Sequence, residues 1–111
     1  MYGSVKIGSE VVEMSANAAS PYFYKRVFNE DFLQMAQKTG EPDVYIYVKL
    51  AFIMAMTAEK KLEDLCKLKE TDFLAWVSKF STVDMMNALP EIIQIYTAQE
   101  NGSSEPKKED G

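Results

Sequence analysis

Apolar and polar side chains alternate near the N-terminal end of the chain, on both sides of a Gly8-Ser9 pair. A period of two is typical of a half-buried strand, and Gly-Ser between two such runs favours a tight turn. Residues 1–17 therefore predict a small β-hairpin, which must lie on helices or pair with another subunit because two strands alone are marginal in water. The apolar positions of this pattern are Val5, Ile7, Val11, Val12 and Met14.

The apolar period changes to that of a helix after residue 20. Ser20 is a good N-cap, and Pro21 suits the first helical position because its nitrogen has no hydrogen to leave unpaired. Lys25 and Arg26 fall away from the apolar stripe and form a basic face. The stripe itself consists of Phe23, Tyr24, Val27 and Phe28.

Residues 29–40 predict a kink followed by a second helix. Asn29 tolerates the left-handed backbone conformation and can end the first helix, and Glu30 and Asp31 suit the positive N-terminus of the next. Apolar residues in 31–39 again follow helical spacing, and Gly40 is a strong stop signal.

A central core helix is predicted for residues 44–58, after a Pro-Asp start at 42–43. Only Lys49 and Thr57 in this run are neither apolar nor aromatic, and a helix apolar on all sides is buried on most of them. A membrane span is disfavoured because the run is shorter than about 17 residues and contains a lysine.

Residues 58–70 keep one apolar face at helical spacing, formed by Ala58, Leu62, Leu65 and Cys66. No glycine or proline shows whether the central helix continues here or restarts. A lone cysteine on such a face is interpreted as a small core residue.

Two further helix starts are predicted at Thr71 and Ser81, since Ser81 followed by Asp84 resembles a capping box. Trp76 is interpreted as an anchor of the core in preference to a binding residue. Pro90 interrupts or restarts the chain, and a last helix follows from Glu91. The methionines, which fit core filling better than an adaptable binding groove, include Met54, Met56, Met85 and Met86.

The predicted fold is mainly α (α+β), with a small N-terminal β-hairpin packed on a compact bundle of about five helices. Residues 1–100 form one domain in this interpretation. Residues 101–111 have no large apolar side chain and are predicted to be a disordered polar tail.

The charge balance points to protein partners. Acidic residues outnumber basic ones by 17 to 12, the net charge is −5 and the pI is about 4.7, which opposes binding to nucleic acid or anionic membranes. The single cysteine cannot form an internal disulfide, and the start of the chain does not resemble a signal peptide. We therefore expect a cytoplasmic location.

The sequence contains no constellation typical of an enzyme. It has no histidine, which removes the commonest general base and most zinc sites, and its five glycines form no phosphate-binding loop. Adjacent acids such as Glu30 and Asp31 are interpreted as helix-start or solvated residues. We expect no catalytic residues, no cofactor and no metal.

Taken in order, these segments resemble the tail assembly chaperones of long-tailed (siphovirus) phages and prophages, particularly those of Gram-positive hosts. The resemblance covers residues 5–100, and its strongest segment is YKRVFNEDFL at 24–33. The family often has glycine where Asn29 stands, and asparagine is the next-best residue for a left-handed backbone. Other similar segments are VKLAFIMAM, FLAWVSKF with Trp76, and ALPEIIQIY before the polar tail.

The resemblance implies a non-enzymatic protein that binds the tail tape measure protein, keeps it soluble and helps recruit the tail tube protein around it. A tape measure protein is a long, helical and partly apolar chain, whose exposed surface would aggregate without cover. A small acidic protein could coat it and repel other coated chains. The alternative function is that of a small acidic cytoplasmic regulatory or adaptor protein that binds another protein.

Two surfaces are candidates for partner binding. Ile95 lies off the stripe that Ile92, Ile93 and Tyr96 share with Leu89, which favours partner contact or self-association through this last helix. The alternative is burial of all four residues within the monomer. Lys25 and Arg26 form the second candidate, against the alternative of a solvated helix face.

Overall fold

The computed structural model describes residues 2–37 and 44–100, with side chains at 2–34 and 44–98. Over these residues it confirms the mainly α fold with an N-terminal hairpin, and it contains six helices. The predicted stop at Gly40, the start at 42–43 and the tail at 101–111 lie outside the described residues. The elements are β1 (Tyr2–Ile7), β2 (Glu10–Ser15), α1 (Ser20–Phe28), α2 (Phe32–Gln37), α3 (Tyr45–Glu59), α4 (Leu62–Leu65), α5 (Glu70–Val77) and α6 (Thr82–Glu100).

The hairpin has one apolar face, as its alternating sequence predicts. β1 and β2 pair antiparallel, with Val5 opposite Val12 and Ile7 opposite Glu10. The inward apolar side chains are buried, while β2 packs on α3 and β1 packs on α6. Gly8 adopts a φ of 66°, and an added Cβ there would lie 2.6 Å from Oδ2 of Asp84 in α6. The turn thus needs glycine for its conformation, and a larger residue there would also displace the Asp84 carboxylate.

Helix α3 is the centre of the molecule. Every residue of 50–56 is buried, together with Ile46 and Val48. It contacts β2, α1, α2, α4, α5 and α6. The prediction of a central core helix is therefore confirmed.

An aromatic cluster joins α3 to its neighbours. The ring of Phe52 in α3 lies 6.3 Å from Phe28 of α1, 5.6 Å from Phe73 of α5 and 5.8 Å from Trp76 of α5, between centroids. Phe28 and Phe73 also meet edge to face at 5.1 Å. Edge-to-face pairs of this kind stabilise a core beyond the area that they bury. The prediction that Trp76 anchors the core is confirmed, since only 7% of it is exposed.

The two ends of α1 differ in how well the sequence predicted them. The helix begins at Ser20 itself, and the Ser20 hydroxyl accepts a hydrogen bond from the Asn17 amide, 3.1 Å away. The predicted N-cap role of Ser20 is therefore wrong, because its side chain is turned back to the preceding connector. Asn29 is left-handed, with φ 57° and ψ 37°, and its amide donates to the carbonyl oxygen of Lys25. The predicted end of the helix is confirmed.

Glu30 and Asp31, the two acidic residues after α1, have different roles. Asp31 caps α2, since its carboxylate accepts hydrogen bonds from the amides of Leu33 and Gln34. Glu30 instead accepts from the Tyr24 hydroxyl at 3.0 Å and pairs with the Lys49 ammonium at 3.3 Å. Glu30 therefore ties the kink to α3.

The chain between α3 and α5 restarts rather than continuing the central helix. α3 ends at Glu59, Lys60 has an extended backbone, and α4 contains only four residues. Leu65 is buried, but Cys66 is exposed. The prediction of Cys66 as a core residue is wrong. It assumed one continuous helical spacing from Ala58 to Cys66, and the extended backbone at Lys60 interrupts that spacing.

The start of α5 also differs from the prediction. The helix begins at Glu70 with Lys69 before it, and the Asp72 carboxylate accepts a hydrogen bond from the Lys69 amide. Thr71 lies inside the helix and is not its N-cap. For α6 the prediction is confirmed, since the Ser81 hydroxyl accepts from the Asp84 amide at 3.1 Å.

Helix α6 runs through Pro90 without interruption. The predicted break at Pro90 and the separate helix from Glu91 are therefore wrong. Pro90 is exposed, whereas Leu89 and Ile92 on either side of it are buried. Proline has no N–H, so one backbone hydrogen bond of α6 is missing. Burial of Leu89 and Ile92 stabilises the helix in spite of this loss.

Removal of the central aromatic side chain should test the importance of α3. We expect Phe52→Ala to lower the free energy of unfolding by about 3–5 kcal/mol, because it leaves a cavity in the aromatic cluster. Leu74→Ala on the exposed side of α5 should change it by less than about 0.5 kcal/mol. Urea unfolding of both variants measures the difference, and equal losses would contradict the role given to Phe52.

Replacement of Pro90 should stabilise the protein. Pro90→Ala restores an amide donor for the preceding turn of α6, so we expect a gain of about 1–3 kcal/mol in the free energy of unfolding. The neighbouring exposed substitution Glu91→Ala is the control and should have little effect. An unfolding midpoint that falls in Pro90→Ala would show that the proline is required for the path of α6.

Candidate functional site

Two neighbouring depressions form the candidate site. One, of about 460 Å³, lies between α3, α4 and α5, and the other, of about 270 Å³, lies between β2, α3 and α5. They meet at Glu59, Trp76 and Lys79, which line both. We call the two depressions together the Trp76 groove.

The floor of the Trp76 groove is apolar. In the larger depression it comprises Phe52 and Met56 from α3, Trp76 from α5 and Leu68 from the connection between α4 and α5. Phe52 and Met56 are one helical turn apart and therefore share a face. The groove arises because the short α4 leaves the last turn of α3 only partly covered.

Charged side chains surround this floor. The acids are Glu10, Glu13, Glu59, Asp64 and Asp72, and the bases are Lys60, Lys67 and Lys79. The one ion pair recorded among the described residues, between Glu30 and Lys49, lies elsewhere. The charges of the groove are therefore not neutralised by ion pairs within the described part of the chain.

Some of these groups have other partners. The Glu13 carboxylate accepts hydrogen bonds from the hydroxyls of Tyr2 and Ser4 on β1. The Lys79 ammonium lies 5.8 Å from the centroid of the Phe80 ring. Both side chains are exposed at the surface.

The predicted basic pair separates into two environments. The Arg26 guanidinium donates two hydrogen bonds to the carbonyl oxygen of Cys66, at 3.1 and 2.9 Å. Arg26 thus ties α1 to the end of α4, beside the groove. Lys25 is exposed. A binding role for the pair stays a prediction.

The four residues of the predicted C-terminal surface differ in burial. Ile92 and Tyr96 are buried, and the Tyr96 ring lies 5.3 Å from that of Phe32. Ile93 and Ile95 are half-buried. A partner could therefore reach Ile93 and Ile95 without unfolding α6, but not the other two.

Ile95 lies against β1. A Cβ atom added to Gly3 of β1 would be 2.9 Å from the Cδ1 atom of Ile95. Beside this contact is a shallow depression of about 270 Å³, which we call the Ile95 depression. Its lining residues are Tyr2, Gly3, Ser4, Glu91, Gln94, Ile95 and Ala98.

The Trp76 groove was missed in the sequence because its two sides come from distant segments. The sequence favours a core role for Trp76 over a binding role, and the side chain is both buried and part of the groove floor. One feature of the sequence does point to the groove. Residues 72, 75, 76 and 79 fall on one helical face, where small Ala75 lies between charged Asp72 and Lys79.

No group of three or more His, Cys, Asp or Glu side chains is arranged within the described residues to hold a metal ion. None of the described helices has the length and apolar character needed to cross a bilayer.

No protein family, curated protein or solved structure was found to match the chain.

Loss of the Arg26 contact should loosen the connection beside the groove. We expect Arg26→Ala to lower the free energy of unfolding by about 0.5–1.5 kcal/mol and to speed amide exchange in residues 66–69. Lys25→Ala is the matched control because it removes the neighbouring exposed cation. Hydrogen exchange followed by mass spectrometry compares the two, and identical exchange in both variants would contradict an anchoring role for Arg26.

Proposed function

We propose that this protein is a non-enzymatic phage tail assembly chaperone, which binds the tape measure protein and helps recruit tail tube subunits. The resemblance of residues 24–33 and of the later apolar segments supports this assignment. The hairpin followed by a mainly helical body agrees with the order of elements on which the resemblance depends.

The observation that carries the proposal is the Trp76 groove, whose apolar floor shows narrow edges of Met56 and Trp76, each 7% exposed, beside the half-buried Leu68. A helix in a groove is a common mode of peptide recognition, in which one apolar face is buried and the polar face stays in water. Apolar side chains of a tape measure helix would lie over Leu68, Ala75 and the exposed edges of Met56 and Trp76. Burial of such side chains removes the surface through which unassembled chains aggregate.

The charge of the protein supports the same role. Bound copies with a net charge of −5 would repel one another, which keeps coated tape measure chains apart. The non-enzymatic part of the proposal depends on the sequence, which has no histidine and no phosphate-binding loop.

A substitution in the groove should test the proposal. Ala75 is exposed and lines the larger depression, so Ala75→Arg fills the groove with a long side chain without touching the core. We expect it to weaken binding of a tape measure fragment by about tenfold or more, which corresponds to about 1.4 kcal/mol. Leu74→Arg, the adjacent exposed position outside the groove, is the matched control.

The measurement is the soluble yield of a tape measure fragment co-expressed with each variant, followed by affinity measurements on the purified complex. The fragment should become soluble with the native protein and with Leu74→Arg, and less so with Ala75→Arg. A fragment that stays insoluble beside the folded native protein would contradict the chaperone function. If Ile95→Glu abolishes binding while Ala75→Arg does not, the contact lies at the Ile95 depression instead.

A further inference from the structure

We infer that the Trp76 groove binds an amphipathic helical segment whose basic end lies beside β2. The inference uses the proposed function only in taking a protein segment as the occupant. It adds the conformation, the charge and the direction of that segment.

The walls of the larger depression favour a helical occupant. They come from α3, α4 and α5, whose backbone groups are largely paired within their own helices and offer no strand edge. A segment buried against the apolar floor must therefore satisfy its own backbone N–H and C=O groups. An α-helix does so internally.

The charges along the groove are not evenly distributed. The smaller depression, beside β2, has Glu10, Glu13 and Glu59 against the single base Lys79. The larger one has three acids and three lysines, so its charges balance. The negative end of the groove is thus the end beside β2, and a basic group of the occupant is complementary to it.

Glu59 is placed against the preference of its own helix. It is the last residue of α3, where the helix dipole favours a positive side chain and disfavours a carboxylate. No ion pair within the described residues compensates it. Its position at the junction of the two depressions is consistent with a role in binding rather than in folding.

The chain itself offers a poorer occupant. Residues 101–111 include Lys107 and Lys108 but no large apolar side chain that could cover Trp76. A second copy carries the same negative charge of −5. A basic amphipathic helix from another protein meets both the apolar floor and the acidic end.

The single tryptophan of the chain provides a site-specific measurement. Trp76 lines both depressions, so a ligand in the groove should change its fluorescence emission. The probes are two synthetic amphipathic helical peptides without tryptophan, with the same leucine stripe. One carries lysines at one end and the other carries glutamates at the same positions. We expect the lysine peptide to bind at least tenfold more tightly.

Two charge reversals locate the preference. Glu59→Lys should reduce the preference for the lysine peptide severalfold, while its unfolding midpoint stays the same or rises because a lysine suits the end of α3. Glu91→Lys makes the same change of net charge in the Ile95 depression and should leave the preference unchanged. A lysine peptide spin-labelled at its basic end should broaden the amide resonances of residues 10–13 more than those of residues 64–68.

The outcomes separate this inference from the proposed function. Equal affinity for both peptides, an equal loss in both variants, or broadening confined to 64–68 would overturn the inference. If the native protein nevertheless keeps the tape measure fragment soluble, the chaperone function stands. If the lysine peptide binds as expected and the fragment stays insoluble, the groove assignment stands and the chaperone function fails.

Discussion

Helix α3 must be covered on all sides, and the other elements are arranged around it to do so. Residues 50–56 of this helix are buried without interruption, so no face of that segment can remain in water. A single partner helix covers one stripe, whereas this segment needs cover all round. The hairpin, α1, α5 and α6 each supply part of it.

The same constraint explains the hairpin and the groove. Two strands are not stable alone, but their inner face is stabilised by burial on α3 and α6, and in turn it shields both helices. Cover is thinner at the last turn of α3, where α4 is short and the chain is extended at Lys60. This short connection leaves part of Leu68 and narrow edges of Met56 and Trp76 in contact with solvent at the Trp76 groove. The candidate binding surface is thus an edge of the core.

The sequence predicted the elements far better than the candidate site. Trp76 was recognised as a core residue because its aromatic neighbours fall at helical spacing, and the structure agrees. Its second role at the groove depends on β2 and on the end of α3, which lie far away along the chain. The partner-binding prediction for Ile92 and Tyr96 shows the same difficulty, since helical spacing does not say which apolar face is covered by a distant strand.

Several features follow from local chemistry and can be predicted from the order of residues. The alternation of the hairpin, the left-handed Asn29, the capping Ser81 and the continuous apolar run of α3 follow from steric and hydrogen-bonding preferences within a few residues. Contacts between distant segments set the role of Ser20, the exposure of Cys66 and the continuity of α6 through Pro90. In α6, burial of Leu89 and Ile92 outweighs one missing hydrogen bond. Such choices depend on contacts between distant segments, whose energies exceed the local preferences that a sequence pattern records.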